Sequence, residues 1–494
     1  VTQENRAKRA RRIHEFEAAI RGFISLCFGL DCRSLALLRI GTGVCVLLNL
    51  MVRVPDIASM YTEAGCLPEK AVMALNLPSA FWSVYGVCHD SWSVSLLFIV
   101  TALLALLLAI GFQTRYVAIG LWVLFVSLLN RNTTIIDSQE TLLRMLLFWG
   151  MFLPWGAVWS YDAWRGKSAP PSVQVVSPAT AAYTLQIVLV YLCTAILKDA
   201  PQWRVDGTAG LYSLNMDYVT THLGVQMTAN ANFLKIMTIL LLVFEFVGPF
   251  MLICPFWNGL VRVAAIILFS AMHIGLSLMF KLEFFQVIDI VSLCALLPPS
   301  FWNRLAQAEI KTGLARSQTA IDGLLNFLRN AFICFVAAMI VSCNMNTIVS
   351  KIRIPSWMDF AVDFLRLDQN WWLFGSFLPQ LNGYYVVVGT LKNGAQVDLF
   401  RGGKPVDWER PRYVSDIYPN RHWRIYMVSM IGPKNECLRP YFSTYMARQW
   451  NKTHQGEERL ARLQMYYMYE GPLPETIEAD RHAQKLLLFE EFFD

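Results

Sequence analysis

Residues 93–112 read SVSLLFIVTALLALLLAIGF, an uninterrupted apolar stretch with no charged residue. A run of that length spans the roughly 30 Å hydrocarbon core of a bilayer as a helix, and few soluble folds can bury it. Further apolar runs lie at about 35–53, 116–130, 141–159, 180–197, 233–254, 260–280, 284–298 and 323–349. The third and eighth runs are short and suit tilted or partial crossings. Composition agrees: 55% of the 494 residues are hydrophobic, 16% are charged, and mean hydropathy is +0.41. The fold class expected is a polytopic α-helical membrane protein with about nine transmembrane helices and a C-terminal α+β domain.

Charge sets the expected topology. The N-terminal segment 1–34 is basic and amphipathic, with Arg6, Lys8, Arg9, Arg11, Arg12 and Arg21, and has no cleavable signal pattern. Alternate loops add Arg115, Arg165, Arg262 and Arg304, whereas the intervening loops hold Arg53, Lys70, Arg131, Lys198, Arg204 and Lys281. The positive-inside rule then places the N-terminus in the cytoplasm and, after nine crossings, residues 350–494 outside it. A net charge of +6 distributed in this way is a topology signal, so no nucleic-acid partner is expected. Eleven cysteines without paired spacing give no metal motif, and no metal is expected.

Beyond 35–349, the part expected to be membrane-embedded, the pattern changes. An amphipathic stretch around PSWMDFAVDFLRLDQNWWLF precedes GYYVVVGTLKNGAQVDLF, two β-rich runs about Asn393-Gly394, a dipeptide suited to tight hairpins. HWRIYMVSMI reads as a strand, LRPYFSTYMARQWNKTH as a helix and ARLQMYYMYEG as a final strand. This part carries no nucleophile motif, phosphate loop or metal cluster, and a binding or shaping role is expected of it.

Several ionisable residues fall within or beside the apolar runs: Arg39, Arg144, Glu245, His273 and Asp289, with Lys198 at the end of the fifth. Such residues are costly in lipid and mark candidate sites, although anchoring and mutual satisfaction are the common alternatives. Asp137, Glu140 and Arg144 share one helix face, and Glu140 and Arg144 are spaced to pair. On the expected topology all but Arg39 lie from mid-membrane to the outer edge. A polar cavity between helices, centred on Lys198, accounts for them together.

At this point the residues resemble a known group. LKDAPQW (197–203), with lysine five residues before Trp203, is similar to the catalytic-lysine segment of vitamin K-dependent gamma-glutamyl carboxylase, whose membrane domain defines the horizontally transferred transmembrane (HTTM) proteins. LLRIGTGVCVLL, SLLNRNTTIIDSQETLLRMLLFW, FSAMHIGLSLMFKLEFF and LNGYYVVVGTLKNGAQVDLF agree in order. The resemblance covers about 30–470. It implies Lys198 as a base toward a reduced vitamin K-type quinone, with His273 matching a histidine of the corresponding helix. Arg131, Asn132, Asp137, Glu140, Arg144, Trp203, Glu245 and Asp289 are the expected pocket or supporting residues. Where the carboxylase carries a histidine, this chain reads Asn130-Arg131-Asn132-Thr133, and asparagine cannot relay a proton by titrating. The resemblance also implies a disulfide from Cys66 or Cys88 to Cys437. Partners implied are membrane lipid or quinone and an extracytoplasmic peptide or protein substrate, in a bacterial inner membrane. Lys198→Ala is expected to abolish activity and spare the fold. A non-catalytic lipid-binding, immunity or assembly factor on the same fold is the alternative, since fold alone does not transfer chemistry.

Overall fold

The computed structural model describes residues 2–166, 172–305, 320–349, 355–375, 382–471 and 483–494. Its helices are α1 (Thr2–Phe28), α2 (Cys32–Arg53), α3 (Ser91–Ile110), α4 (Thr114–Arg131), α5 (Ser138–Gly150), α6 (Pro178–Leu197), α7 (Ala231–Leu252), α8 (Asn258–Met279), α9 (Phe285–Cys294), α10 (Pro299–Leu305) and α11 (Ala320–Ile348). Short helical turns fill some connections. Six segments among the described residues are long and apolar enough to cross a membrane: Cys32–Met60, Ser91–Ile110, Pro178–Leu197, Ala231–Leu252, Asn258–Met279 and Ile321–Ile348. Counting α9 with α10, which bend by 91° at their junction, gives seven. The third and fourth apolar runs fold as α4 and α5, of 18 and 13 residues, and are not among these. The fourth run stops early because Pro154-Trp155-Gly156 follows the helix.

Local chemistry sets the helix ends. Asp90 accepts from the backbone N–H groups of Trp92 and Ser93 at 2.9 Å and starts α3, and Gly111, at φ 80°, ends it in the left-handed conformation that glycine adopts without strain. Ser177 and Thr180 form a reciprocal capping pair on α6, with Pro178 at its first position. The same helix ends before Lys198 because Pro201 holds Ala200 extended, at φ −61° and ψ 148°.

The C-terminal part adds α12 (Ser356–Leu365), β1 (Gly383–Leu391), β2 (Gln396–Asp398), β3 (Lys404–Pro405), α13 (Arg421–Ser429), α14 (Arg439–Thr453), β4 (Leu460–Tyr469) and β5 (Gln484–Phe492). The antiparallel sheet has the order β3-β2-β1-β4-β5. Asn393-Gly394 forms the turn between β1 and β2, with Gly394 at φ 84°. Two readings need correction. HWRIYMVSMI is not a strand: Asn420 caps it by accepting from Trp423 N–H, and Trp423, Tyr426, Met427 and Met430 are buried at helical spacing. The ARLQMYYMYEG strand is β4 and not the last, because β5 pairs alongside it. One buried apolar core runs unbroken from α2–α6 and α8–α9 into the sheet and α13–α14.

Candidate functional site

Lys198 lies just past α6, where the chain leaves helical geometry, and is 2% exposed. Its Nζ donates to Glu245 Oε1 at 2.6 Å and to Oε2 at 2.5 Å. Glu245 comes from α7, four residues before Pro249, which lacks an N–H and so leaves the Glu245 carbonyl without its usual helical donor. The Lys198 ammonium also sits 4.6 Å from the centre of the Trp203 ring, a cation–π distance. Trp203 is fixed by donating its indole N–H to the Phe374 carbonyl at 2.7 Å. Arg204 closes the end of α6 by donating to the carbonyls of Lys198 (3.0 Å) and Ile196 (2.9 Å).

His273 lies on α8 four residues after Phe269, whose ring packs on Tyr191 of α6 and on Phe244, the residue before Glu245 on α7, with centroids 3.9 and 4.4 Å apart. Its Nε2 is 3.0 Å from the Tyr191 hydroxyl, and its Nδ1 is 3.7 Å from Asp289 Oδ2 of α9. Nδ1 and Oδ2 are both buried and without a hydrogen-bond partner. The Tyr191 ring stacks on Phe269, centroids 3.9 Å apart. Four helices thus bring together Lys198, Glu245, His273 and Asp289, four residues named from sequence, with Trp203 beside them. Tyr191 was missed. Its signal is positional, seven residues before Lys198 and so on the same helical face.

The remaining candidates lie elsewhere. Glu140 does not pair with Arg144. It accepts from Arg53 at 2.9 Å and from Arg421 at 3.0 Å and 3.2 Å. Arg421 also reaches Asp137 at 2.5 Å and Glu283 at 3.7 Å. Burial disfavours the Arg421 charge, but Asp137 and Glu140 outweigh it and hold its pKa well above the ordinary value. This network pins α13 onto the ends of α2 and α5. Arg144 instead donates to the Asp368 carbonyl at 2.5 Å, with the Asp368 carboxylate 3.5 Å away. Arg131 donates to the Leu67 carbonyl at 2.9 Å; Asn132 donates to the Met60 carbonyl at 3.1 Å and accepts from Thr134. Both brace the loop after α2. Arg53 was read from sequence only as a loop charge and Arg421 was not named, because nothing local distinguishes them from other terminal or surface arginines.

Beside the network, His422 Nδ1 lies 3.1 Å from Asp56 Oδ2, and Asn420 and Trp423 also donate to Asp56. Burial and the nearby Arg53 charge outweigh Asp56 and lower the His422 pKa to about 4. The geometry explains this: Nε2 is buried without a partner, so a second N–H there would find no acceptor.

The expected disulfide is not formed. Cys66, Cys88 and Cys437 are all free; the Cys66 carbonyl accepts from the Tyr426 hydroxyl, and the Cys437 thiol instead faces the Ala74 carbonyl at 3.7 Å. Among the described residues, Glu63, Glu69 and His89 present ligand atoms within 4.8 Å of one another. Arg131 lies 3.9 Å from Glu63 and its charge opposes a cation there. Cavities of about 540 and 400 Å³ are lined by other segments, and neither abuts Lys198 or His273.

Comparison with known families decides the class. A family model described as the HTTM domain matches residues 29–302, more than half of the chain. The chain belongs to the HTTM domain family. No curated protein and no solved structure matches it. In this HTTM protein the match ends within α10, so Lys198, Glu245, His273 and Asp289 all lie inside the family region, whereas Arg421 lies outside it.

Proposed function

We propose that this HTTM protein is an integral membrane enzyme of the vitamin K-dependent carboxylase type, using a reduced quinone to modify a peptide or small substrate. The observation that carries the reading is the buried Lys198–Glu245 pair beside His273 and Asp289, inside the family-matched region. The chemistry of the residues suits an aromatic, lipid-soluble ligand: Trp203 lies against the Lys198 amine, Tyr191 stacks on Phe269, and His273 Nδ1 and Asp289 Oδ2 are buried polar atoms without a hydrogen-bond partner. When bound, a reduced quinone supplies an acidic hydroxyl and two electrons.

The chain's own residues account for proton handling. An ammonium already holding its proton cannot act as a base. Within the buried pair, moving that proton from Lys198 Nζ to Glu245 leaves two neutral groups, which a low-dielectric site tolerates better than two charges. Lys198 then offers a lone pair, and Glu245 keeps the displaced proton within 2.6 Å. Tyr191 fixes the His273 ring through its hydroxyl. Burial beside the Trp203 ring keeps bulk water from the amine.

Topology belongs to the same proposal. Nine crossings require α4 and α5 to cross along with the six long helices and the bent pair. Their lengths are about 27 and 20 Å, which suits α4 better than α5. The loop charge bias supports a cytoplasmic N-terminus and an extracytoplasmic C-terminal part; a bacterial inner membrane is the host proposed with them.

The test is mass spectrometry of lipid copurified with the wild type and with Lys198 variants, together with oxidation of added vitamin K hydroquinone under oxygen. Wild type is expected to retain an isoprenoid quinone and to turn over. Loss of the base is expected to slow turnover by at least about 100-fold. A folded Lys198 variant with wild-type turnover removes the base role. Absence of both quinone and turnover in the wild type leaves the non-catalytic reading.

A further inference from the structure

The 540 Å³ cavity lies at the opposite end of α6 from Lys198. Ser177 and Ala179 line it, and Lys198 follows the last of that helix's 20 residues. At 1.5 Å per residue the two are about 30 Å apart, the thickness of a hydrocarbon core. The start of α4, the segment after α5 and one face of α11 complete the walls.

Two exposed arginines border the cavity, Arg115 from α4 and Arg329 from α11. Arg329 stands nine residues into α11, between the exposed apolar side chains of Leu328 and Phe332. Among the described residues its guanidinium donates one long bond, 3.4 Å, to Asn330. An arginine so placed is costly beside lipid tails unless an anion or water meets it. The neighbouring carboxylate is already engaged: Asp162 accepts from the backbone N–H groups of Gln113 and Thr114 and from the Thr114 hydroxyl. A third donor is orphaned. Trp155 lines the cavity at 1% exposure, and its indole N–H has no acceptor. Two arginines, the Asp162 carboxylate and one unsatisfied buried indole N–H therefore belong to residues lining this space, with one cation in excess, and exposed apolar side chains of α11 flank it.

We propose that this cavity binds the phosphate headgroup of an anionic phospholipid, with Arg115 and Arg329 pairing to the phosphate, Trp155 donating to it, and the acyl chains running along Leu328 and Phe332. Arginine suits phosphate because its planar fork offers parallel donors. The apolar flank beside Arg329 selects a lipid over a soluble anion. The site is independent of the chemistry at Lys198.

The test is native mass spectrometry of the full chain in micelles containing equal phosphatidylglycerol and phosphatidylcholine. Wild type is expected to retain phosphatidylglycerol about tenfold over phosphatidylcholine, the ratio that roughly 1.4 kcal/mol of headgroup preference yields. The Arg115→Gln/Arg329→Leu double variant is expected to lose that preference, and Arg329→Lys to keep part of it. Equal retention of both lipids by wild type overturns the proposal, as does an unchanged preference in the double variant. Displacement of the lipid by millimolar inorganic phosphate identifies a soluble anion as the ligand and overturns the lipid assignment. Trp155→Phe keeps most of the ring volume and removes the N–H; it serves where the arginine variants do not fold, and an unchanged preference there is equally fatal.

Discussion

Replacing Lys198 with methionine is expected to destabilise the protein by about 3–5 kcal/mol, the cost typical of stripping one partner from a buried ion pair. The structure supplies the reason. Glu245 is 5% exposed, and the amine 2.6 Å away is its one hydrogen-bonding partner among the described residues. A variant at Lys198 alone therefore confounds chemistry with folding, contrary to the expectation from sequence that Lys198→Ala spares the fold. Lys198→Met/Glu245→Leu removes both charges while retaining apolar bulk, and is expected to lie within about 1–2 kcal/mol of wild type. With Glu245→Leu as the second single variant, the departure of the double variant from the sum of the two singles isolates the pair. Unfolding of purified protein in mixed micelles, followed by circular dichroism, measures all four corners of the cycle. Hydroquinone oxidation in the stable double variant then reports the chemistry without the folding defect. A single variant as stable as wild type, or a double variant no better than the single, refutes the buried pair.

Two further outcomes follow from the charge network that joins the C-terminal part to the helices. Arg421→Met takes from Asp137, Glu140 and Glu283 the cation they share and leaves Glu140 its pair with Arg53; it should cost about 3–5 kcal/mol, with Arg421→Lys recovering part, and an unfolding midpoint unchanged from wild type counts against the network. His422 should make stability pH-dependent. Its folded pKa of about 4 lies below the ordinary 6.5, so the unfolded chain binds a proton in that interval that the folded one refuses. The contribution is complete above about pH 6.5 and is lost as pH falls to about 4. Unfolding midpoints measured across that range should slope in wild type and flatten in His422→Gln; equal slopes exclude the assignment.

The candidate site was partly legible in the sequence because ionisable groups in apolar runs stand out against their surroundings. Lys198, Glu245, His273 and Asp289 were each visible as costly exceptions, and the structure brings them together. Partner choice was another matter. Asp137, Glu140 and Arg144 share a helix face, yet Glu140 turns to Arg53 and Arg421 while Arg144 meets Asp368. Helical spacing gives proximity within one element and is silent about what packs against it. Trp423, Tyr426, Met427 and Met430 fit a helix as well as a strand in a ten-residue apolar segment, and the Asn420 cap settled it as α13.

By itself the sequence determined the membrane class, the ends of most long helices and the Asn393-Gly394 hairpin, because these follow from local hydropathy, caps and turn chemistry. It also marked which charges must be accommodated. Tertiary structure alone decided how they are accommodated: Lys198 against Glu245, Arg421 against Asp137 and Glu140 from far earlier in the chain, and two arginines beside a cavity about 30 Å from the lysine. The physical reason is that apolar runs specify burial one segment at a time, whereas a buried charge is satisfied only by whatever the packing of distant segments brings within a few ångströms.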